Sequence, residues 1–117
     1  MSELGEKIIE GVRAAAAERP DYVYEKFGGC RYIRDDAPSC LVGHGLWAAG
    51  LIDKGWGGDF LGDSSFENVA KEYGWPLDLN EVHWLSDAQD RQDEGCSWEA
   101  AVYYADGLYL DDTDDVA

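Results

Sequence analysis

The packing of this chain is decided by the stretch Pro38-Ser-Cys-Leu-Val-Gly-His-Gly-Leu-Trp-Ala-Ala-Gly50, which carries no lysine, arginine or carboxylate. Ser39 is a predicted N-cap and Gly50 a predicted stop, so we expect a helix over about residues 40–50. Because apolar groups lie nearly all round this helix, it is predicted to be central and buried. Gly43 and Gly45 weaken it locally but permit another helix to approach closely.

The segments before the central helix are predicted to be one helix and one hairpin. Residues 3–18 carry apolar side chains at helical spacing, and Ser2 precedes them as an N-cap. Residues 21–27 and 30–33 have strand composition and are separated by Gly28–Gly29, a hairpin turn signal. A hairpin this small is marginal alone, so it must pack on the helices.

Three further helices are predicted after the central one. They are expected from Ser64 to Tyr73, opened by Ser64-x-x-Glu67; over residues 79–94, opened by Asp78-x-x-Glu81; and over residues 98–106, capped by Ser97 and ended by Gly107. The predicted fold class is therefore α+β, mostly helical, with about five helices packed with one small β-hairpin. Residues 1–108 are expected to form a single acidic globular domain, and residues 109–117 an acidic, disordered tail.

Negative charge is the outlying property of the composition. The chain has 25 acidic and 9 basic residues, for a net charge of −16. Residues 1–75 hold 13 acids and 8 bases (−5), whereas residues 76–117 hold 12 acids and one base (−11). Such a surface repels nucleic acid and anionic membranes and attracts basic protein surfaces, although solubility and salt adaptation also produce acidic surfaces. No apolar run is long enough to span a membrane, and no signal peptide is expected at the start.

Cysteine and histidine supply the candidate metal ligands and nucleophile. Cys40 and His44 lie one turn apart on the central helix, and Cys30, Cys96 and His83 are further candidates. None of them forms a tight C-x-x-C or H-x-x-H pair, and no catalytic motif is present, which favours packed core groups and free thiols in a reducing cytoplasm. The sequence therefore predicts no metal, no cofactor and no enzyme activity.

The predicted helix over residues 79–94 has an acidic side. Val82, Leu85, Gln89 and Gln92 turn one way at 100° per residue, and His83, Asp87, Asp90 and Glu94 turn the opposite way. Asp93 lies beside this row, and Trp84 and Arg91 lie at its border with the apolar side. Most charge runs are simply solvated faces, but here like charges repeat one turn apart with little compensation. Six residues are therefore candidates for partner binding: Asp87, Asp90, Glu94, Asp93, His83 and Trp84.

Several stretches resemble a family of small accessory proteins encoded by bacteriophages and prophages of actinobacteria. These stretches, within about residues 10–106, are Asp21-Tyr-Val-Tyr-Glu25, Gly29-Cys-Arg-Tyr32, Pro38-Ser-Cys-Leu-Val-Gly-His-Gly-Leu46, Trp84-Leu-Ser-Asp-Ala-Gln-Asp-Arg-Gln-Asp-Glu-Gly95 and Ser97-Trp-Glu-Ala-Ala-Val102. The resemblance implies a phage-encoded protein that acts in the cytoplasm of a bacterial host cell. It transfers no site residues, because the family has no assigned chemistry.

Three functions follow as hypotheses. The first is an acidic protein that binds and blocks a basic, nucleic-acid-binding surface of a host or phage protein, as a nucleic-acid mimic in anti-defence or host takeover. The second is a regulatory or assembly module that relies on an apolar surface. The third is a Cys/His enzyme or zinc protein that uses Cys40 and His44.

Overall fold

The computed structural model describes residues 2–24, 32–34, 37–53 and 66–109, and these contain five helices and one pair of short strands. The elements are α1 (Glu3–Glu18), β1 (Ile33–Arg34), β2 (Ala37–Pro38), α2 (Leu41–Ala48), α3 (Phe66–Tyr73), α4 (Leu79–Asp93) and α5 (Trp98–Tyr109). The predicted class, mostly helical with a small β element, is confirmed. None of the helices in these ranges is long and apolar enough to cross a membrane.

Most of helix α2 is buried, as predicted, although Ala48 is exposed and His44 and Trp47 are half-buried. Leu41, Val42 and Leu46 have no exposed surface. Helix α1 packs on α2 so closely that a Cβ atom at Gly45 would lie 2.5 Å from the carbonyl oxygen of Ile8. The close helix approach expected at Gly45 is therefore confirmed, since only glycine leaves room for the α1 backbone.

The N-cap of α2 is Cys40, which corrects the prediction of Ser39. Cys40 has extended backbone, and its Sγ accepts a hydrogen bond from the Gly43 N–H at 3.4 Å. The Ser39 hydroxyl lies one residue too early for the first turn and instead hydrogen-bonds the Tyr24 hydroxyl at 2.7 Å. Gly50, with φ of 80°, follows the end of the helix as predicted.

The described part of the predicted first strand, residues 21–24, contacts the start of α5. Val23 forms an isolated antiparallel bridge with Ser97, and the Trp98 N–H donates to the Tyr22 carbonyl at 2.9 Å. The first N–H groups of a helix have no partner within the helix, so this segment satisfies the start of α5. Its extended backbone was predicted, but its partner was not.

Within the described residues, two short strands form a sheet: β1 overlaps the predicted second strand at Ile33, and β2 follows it. They are antiparallel, with Ile33 opposite Pro38 and Arg34 opposite Ala37. This pair precedes α2 directly and packs beside its buried start.

Glycines with positive φ follow two of the remaining helices, but the glycine predicted to end the third lies inside it. Gly74 (φ 65°) follows α3 and Gly95 (φ 103°) follows α4. Gly107 was predicted to end the last helix, but it lies inside α5, which continues to Tyr109. A glycine ends a helix by taking a left-handed conformation, and Gly107 does not take one.

Five predicted features lie outside the described residues. They are residues 25–27 of the predicted first strand, the Gly28–Gly29 turn, Cys30, the capping residue Ser64, and residues 110–117 of the predicted tail.

Candidate partner-binding surface

Helix α4 is fixed at its start by one buried carboxylate. The Glu81 side chain accepts hydrogen bonds from the Asp78 N–H at 2.9 Å, the Ser2 N–H at 2.6 Å and the Ser2 hydroxyl at 2.7 Å. The Asp78 side chain accepts in turn from the Glu81 N–H at 3.0 Å, which completes the predicted capping box. A Cβ atom at Gly5 would overlap the Glu81 carboxylate, so glycine is required where α1 passes over it. The starts of α1 and α4 are thereby joined.

The inner face of α4 is the one predicted from the helical period. Leu85, Gln89 and Gln92 are buried and Val82 is half-buried. The Gln92 Oε1 atom accepts from the Leu41 N–H at 2.7 Å and from the Trp98 Nε1–H at 3.2 Å. This one amide joins α4 to the start of α2 and to α5, and so determines which side of α4 faces outward.

The outward side of α4 carries five of the six predicted partner-binding residues. We call these residues the acidic face: His83, Asp87, Asp90, Asp93 and Glu94. Asp90 and Glu94 are exposed, whereas His83, Asp87 and Asp93 are half-buried. The structure thus brings these five together on one surface, and the most accessible charges are Asp90 and Glu94.

Two of the predicted acids have partners within the chain. The Asp87 carboxylate forms an ion pair with the Arg91 Nε atom at 3.4 Å. The Asp93 carboxylate accepts a hydrogen bond from the Gln92 Nε2 atom at 2.8 Å. Asp87 is therefore paired with a base and Asp93 with a neutral amide, while Asp90 and Glu94 are the exposed acids of the face.

The electrostatic cost of the acidic face appears at Asp90. Loss of part of its hydration raises the pKa of the Asp90 carboxyl, and the neighbouring charges of Asp93, Asp87 and Glu94 raise it further. Both causes disfavour the charged form of Asp90. The like-charge repulsion expected from the sequence therefore acts on Asp90, one of the two exposed acids of the face.

Trp84 is a correction to the predicted surface, because its side chain is completely buried. Its Nε1–H donates to the Asp106 carboxylate at 2.9 Å, and Arg13 forms a two-pronged ion pair with the same carboxylate at 2.7 and 2.8 Å. The Arg13 guanidinium also lies 5.5 Å from the centre of the Trp84 ring. The Trp84 side chain is therefore not available to a partner, and the charge of Asp106 is neutralised by Arg13.

A groove between α4 and α5 adjoins the acidic face and contains none of the six predicted partner-binding residues. We call it the α4–α5 groove; it has a volume of about 430 Å³ and is lined by Arg91, Tyr103, Tyr104, Asp106, Gly107 and Leu108. Tyr103 is 72% exposed and Leu108 57% exposed. Because α5 continues past Gly107, Leu108 lies on the same side of the helix as Tyr104, four residues earlier. This four-residue spacing is the sequence pattern that indicates the groove.

Arg91 joins the groove to the acidic face. Its guanidinium lies 4.8 Å from the centre of the Tyr104 ring, while its Nε atom pairs with Asp87. Arg91 is thus held by a cation–π contact on one side and an ion pair on the other. The two features form one continuous surface.

Cys40 and His44 are packed among core groups. Cys40 is completely buried, and the His44 Nδ1 atom hydrogen-bonds the Cys40 carbonyl at 2.9 Å. The His44 ring meets the Trp98 ring edge-on at 5.1 Å, and burial lowers the pKa of His44. Within the described ranges, no three His, Cys, Asp or Glu side chains are grouped so that they could hold a metal ion.

Comparison of the chain with protein-family models, curated proteins and solved structures found no match.

Proposed function

We propose that this chain is a binding protein whose acidic face occupies a basic, nucleic-acid-binding surface of another protein. The observation that carries the proposal is the pair of exposed carboxylates, Asp90 and Glu94, on a helix that is fixed at its start and along its inner face. Charge that is held rigidly and at a cost to the fold is suited to steering and holding a cationic partner.

The spacing of the carboxylates supports nucleic-acid mimicry. The rise along α4 is about 4.5 Å from Asp87 to Asp90 and about 6 Å from Asp90 to Glu94. Phosphates follow one another at about 3.4 Å of rise in each strand of duplex DNA. The acidic face is therefore a short, less dense row of charge that a phosphate-binding surface accepts.

The biological setting of the proposal comes from the sequence resemblance. A phage-encoded accessory protein acting in the cytoplasm of a bacterial host would meet nucleases and other nucleic-acid-binding proteins there. Blocking one of these proteins is the inhibitor, anti-defence or host-takeover role that we propose. It requires neither a cofactor nor a catalytic group.

The test is capture from an actinobacterial lysate by the immobilised protein, followed by measurement of binding to each purified captured protein. We expect at least one captured nucleic-acid-binding protein to be released by duplex DNA, and its binding to weaken as salt rises from about 50 to about 300 mM. The Asp90→Lys, Glu94→Lys double variant should weaken this binding by at least about tenfold.

The matched control is the Glu10→Lys, Glu72→Lys double variant. Both of these acids are exposed on other helices, and the change in net charge is the same. We expect this control to bind nearly as the natural protein does. Binding that ignores salt and DNA, or that both variants weaken equally, would contradict the proposal.

The second candidate function is a regulatory or assembly module that uses an apolar surface. It is favoured by the exposure of Tyr103, Tyr104 and Leu108 in the α4–α5 groove. This function predicts salt-insensitive binding that survives charge reversal on α4.

A further inference from the structure

We propose that the α4–α5 groove binds the apolar side of a cationic amphipathic helix that belongs to the partner. This inference rests on the proposed function, because it names the kind of segment that brings basic residues to the acidic face. It adds a second requirement to charge: apolar residues on that segment, aligned to enter the groove.

The groove has the chemistry of an anchor site. Tyr103 and Tyr104 lie edge-to-face with ring centres 5.6 Å apart, and both rings are exposed, as is Leu108 one turn further along α5. At Gly107 there is open space where a side chain would otherwise stand. Tyrosine side chains at the centre of a concave surface are typical of residues that dominate binding energy.

Charge around the groove selects the occupant. The groove's two charged groups are already neutralised, Asp106 by Arg13 and Arg91 by Asp87. Beyond Arg91 lie Asp90 and Glu94, which have no ion pair within the described residues. A partner helix could place its apolar side against the tyrosines of the groove and lysine or arginine from its adjacent side against Asp90 and Glu94.

Two other occupants are disfavoured by the same charges. A second copy of this chain would bring another net charge of −16 to the surface. Residues 110–117 of the chain itself carry Asp111, Asp112, Asp114 and Asp115, which the acidic face repels. A basic partner is the occupant whose charge is complementary.

The experiment measures binding of three synthetic helical peptides to the full chain by fluorescence anisotropy. The first has leucine on one side and lysine on the other, the second replaces its leucines with serine, and the third replaces its lysines with glutamate. We expect the leucine–lysine peptide to bind at least about tenfold more tightly than either of the others. Equal binding of the leucine–lysine and serine–lysine peptides would overturn the inference.

The protein variant is Tyr103→Ser with Leu108→Ser, and its control is Leu79→Ser. Leu79 is 68% exposed and lies about 18 Å from Arg91 along the axis of α4. The double variant should weaken binding of the leucine–lysine peptide by at least about tenfold, and the control should not weaken it. Should the double variant unfold, amide NMR shifts in the natural protein decide the matter: they must change on α5 around Tyr103, and shifts confined to other helices would overturn the inference.

Failure of the inference can be told apart from failure of the proposed function. Suppose that the Asp90→Lys, Glu94→Lys variant loses binding of the leucine–lysine peptide, whereas the groove variant, Tyr103→Ser with Leu108→Ser, binds it fully. That result overturns the inference and leaves the proposed function in place. Binding of the leucine–glutamate peptide as tightly as the leucine–lysine peptide overturns both. If the natural protein is a dimer that the groove variant dissociates, the occupant is a second copy of the chain. If removal of residues 110–117 tightens peptide binding about tenfold, the occupant is that segment. Either result overturns the inference.

Discussion

At the scale of single residues, Asp90 is where the acidic face acts against the stability of the fold. Its pKa in the folded protein lies above the ordinary value of 3.8, so between those two pH values the folded state binds more protons than the unfolded state. The free energy of unfolding therefore falls as pH rises through this window, and the cost is fully present at neutral pH.

We predict that Asp90→Asn stabilises the protein at pH 7. The gain should be about 0.5 kcal/mol, the scale of like-charge repulsion one turn apart, and should disappear as pH falls below the ordinary carboxyl range. Denaturant unfolding at a series of pH values measures it. Glu72→Gln on α3 is the control, and an equal gain there would mean that the effect is one of overall charge and not of the acidic face.

At the scale of helices, Gly45 and Gly107 are both helical but lie in opposite surroundings. A Cβ atom at Gly45 would collide with the α1 backbone, whereas one at Gly107 would meet nothing within 4 Å. Gly45 sets the distance between α1 and α2, whereas a side chain added at Gly107 would contact no neighbouring group.

The same substitution should therefore have opposite signs at these two positions. Gly45→Ala should lower the free energy of unfolding by about 1–3 kcal/mol through overpacking. Gly107→Ala should raise it by about 0.5–1 kcal/mol, since alanine has the better helix propensity. Denaturant unfolding of both variants checks the pair, and destabilisation by Gly107→Ala would contradict the open surroundings of that position.

Sequence patterns predicted the helices where local chemistry controls their ends. Residues 3–18 form α1 with Ser2 as its cap, and the Asp78–Glu81 capping box opens α4. The acidic face followed from the 100° period alone. Trp84 could not be placed this way, because its burial depends on Arg13 and Asp106, which are distant in sequence.

At the scale of the whole molecule, the net charge of −16 acts against every compact state of the chain. Only 9 basic residues offset it. Two of them contact α5: Arg13 pairs with Asp106, and the Arg91 guanidinium lies over the Tyr104 ring. The remaining repulsion is exposed to solvent ions and is screened by them.

We predict that sodium chloride stabilises the folded protein, with most of the gain reached by about 0.3 M, where the screening length has shortened to a few ångströms. Thermal unfolding as a function of salt measures this. Sodium sulfate should add stability beyond that concentration, because excluded salts strengthen apolar burial. A protein unchanged in stability from about 0.01 to about 0.3 M chloride would contradict the prediction.

The Glu81 carboxylate also determines when in synthesis the fold can be completed. It accepts hydrogen bonds from Ser2, the N-cap of α1, which lies 79 positions earlier in the chain. During translation, water must satisfy the N–H and hydroxyl of Ser2 until α4 leaves the ribosome. A chain arrested before α4 also lacks Gln92, the residue that holds the start of α2. Contacts of such long range form slowly, so we expect α1 and α2 to reach their final packing only after α4 has been synthesised.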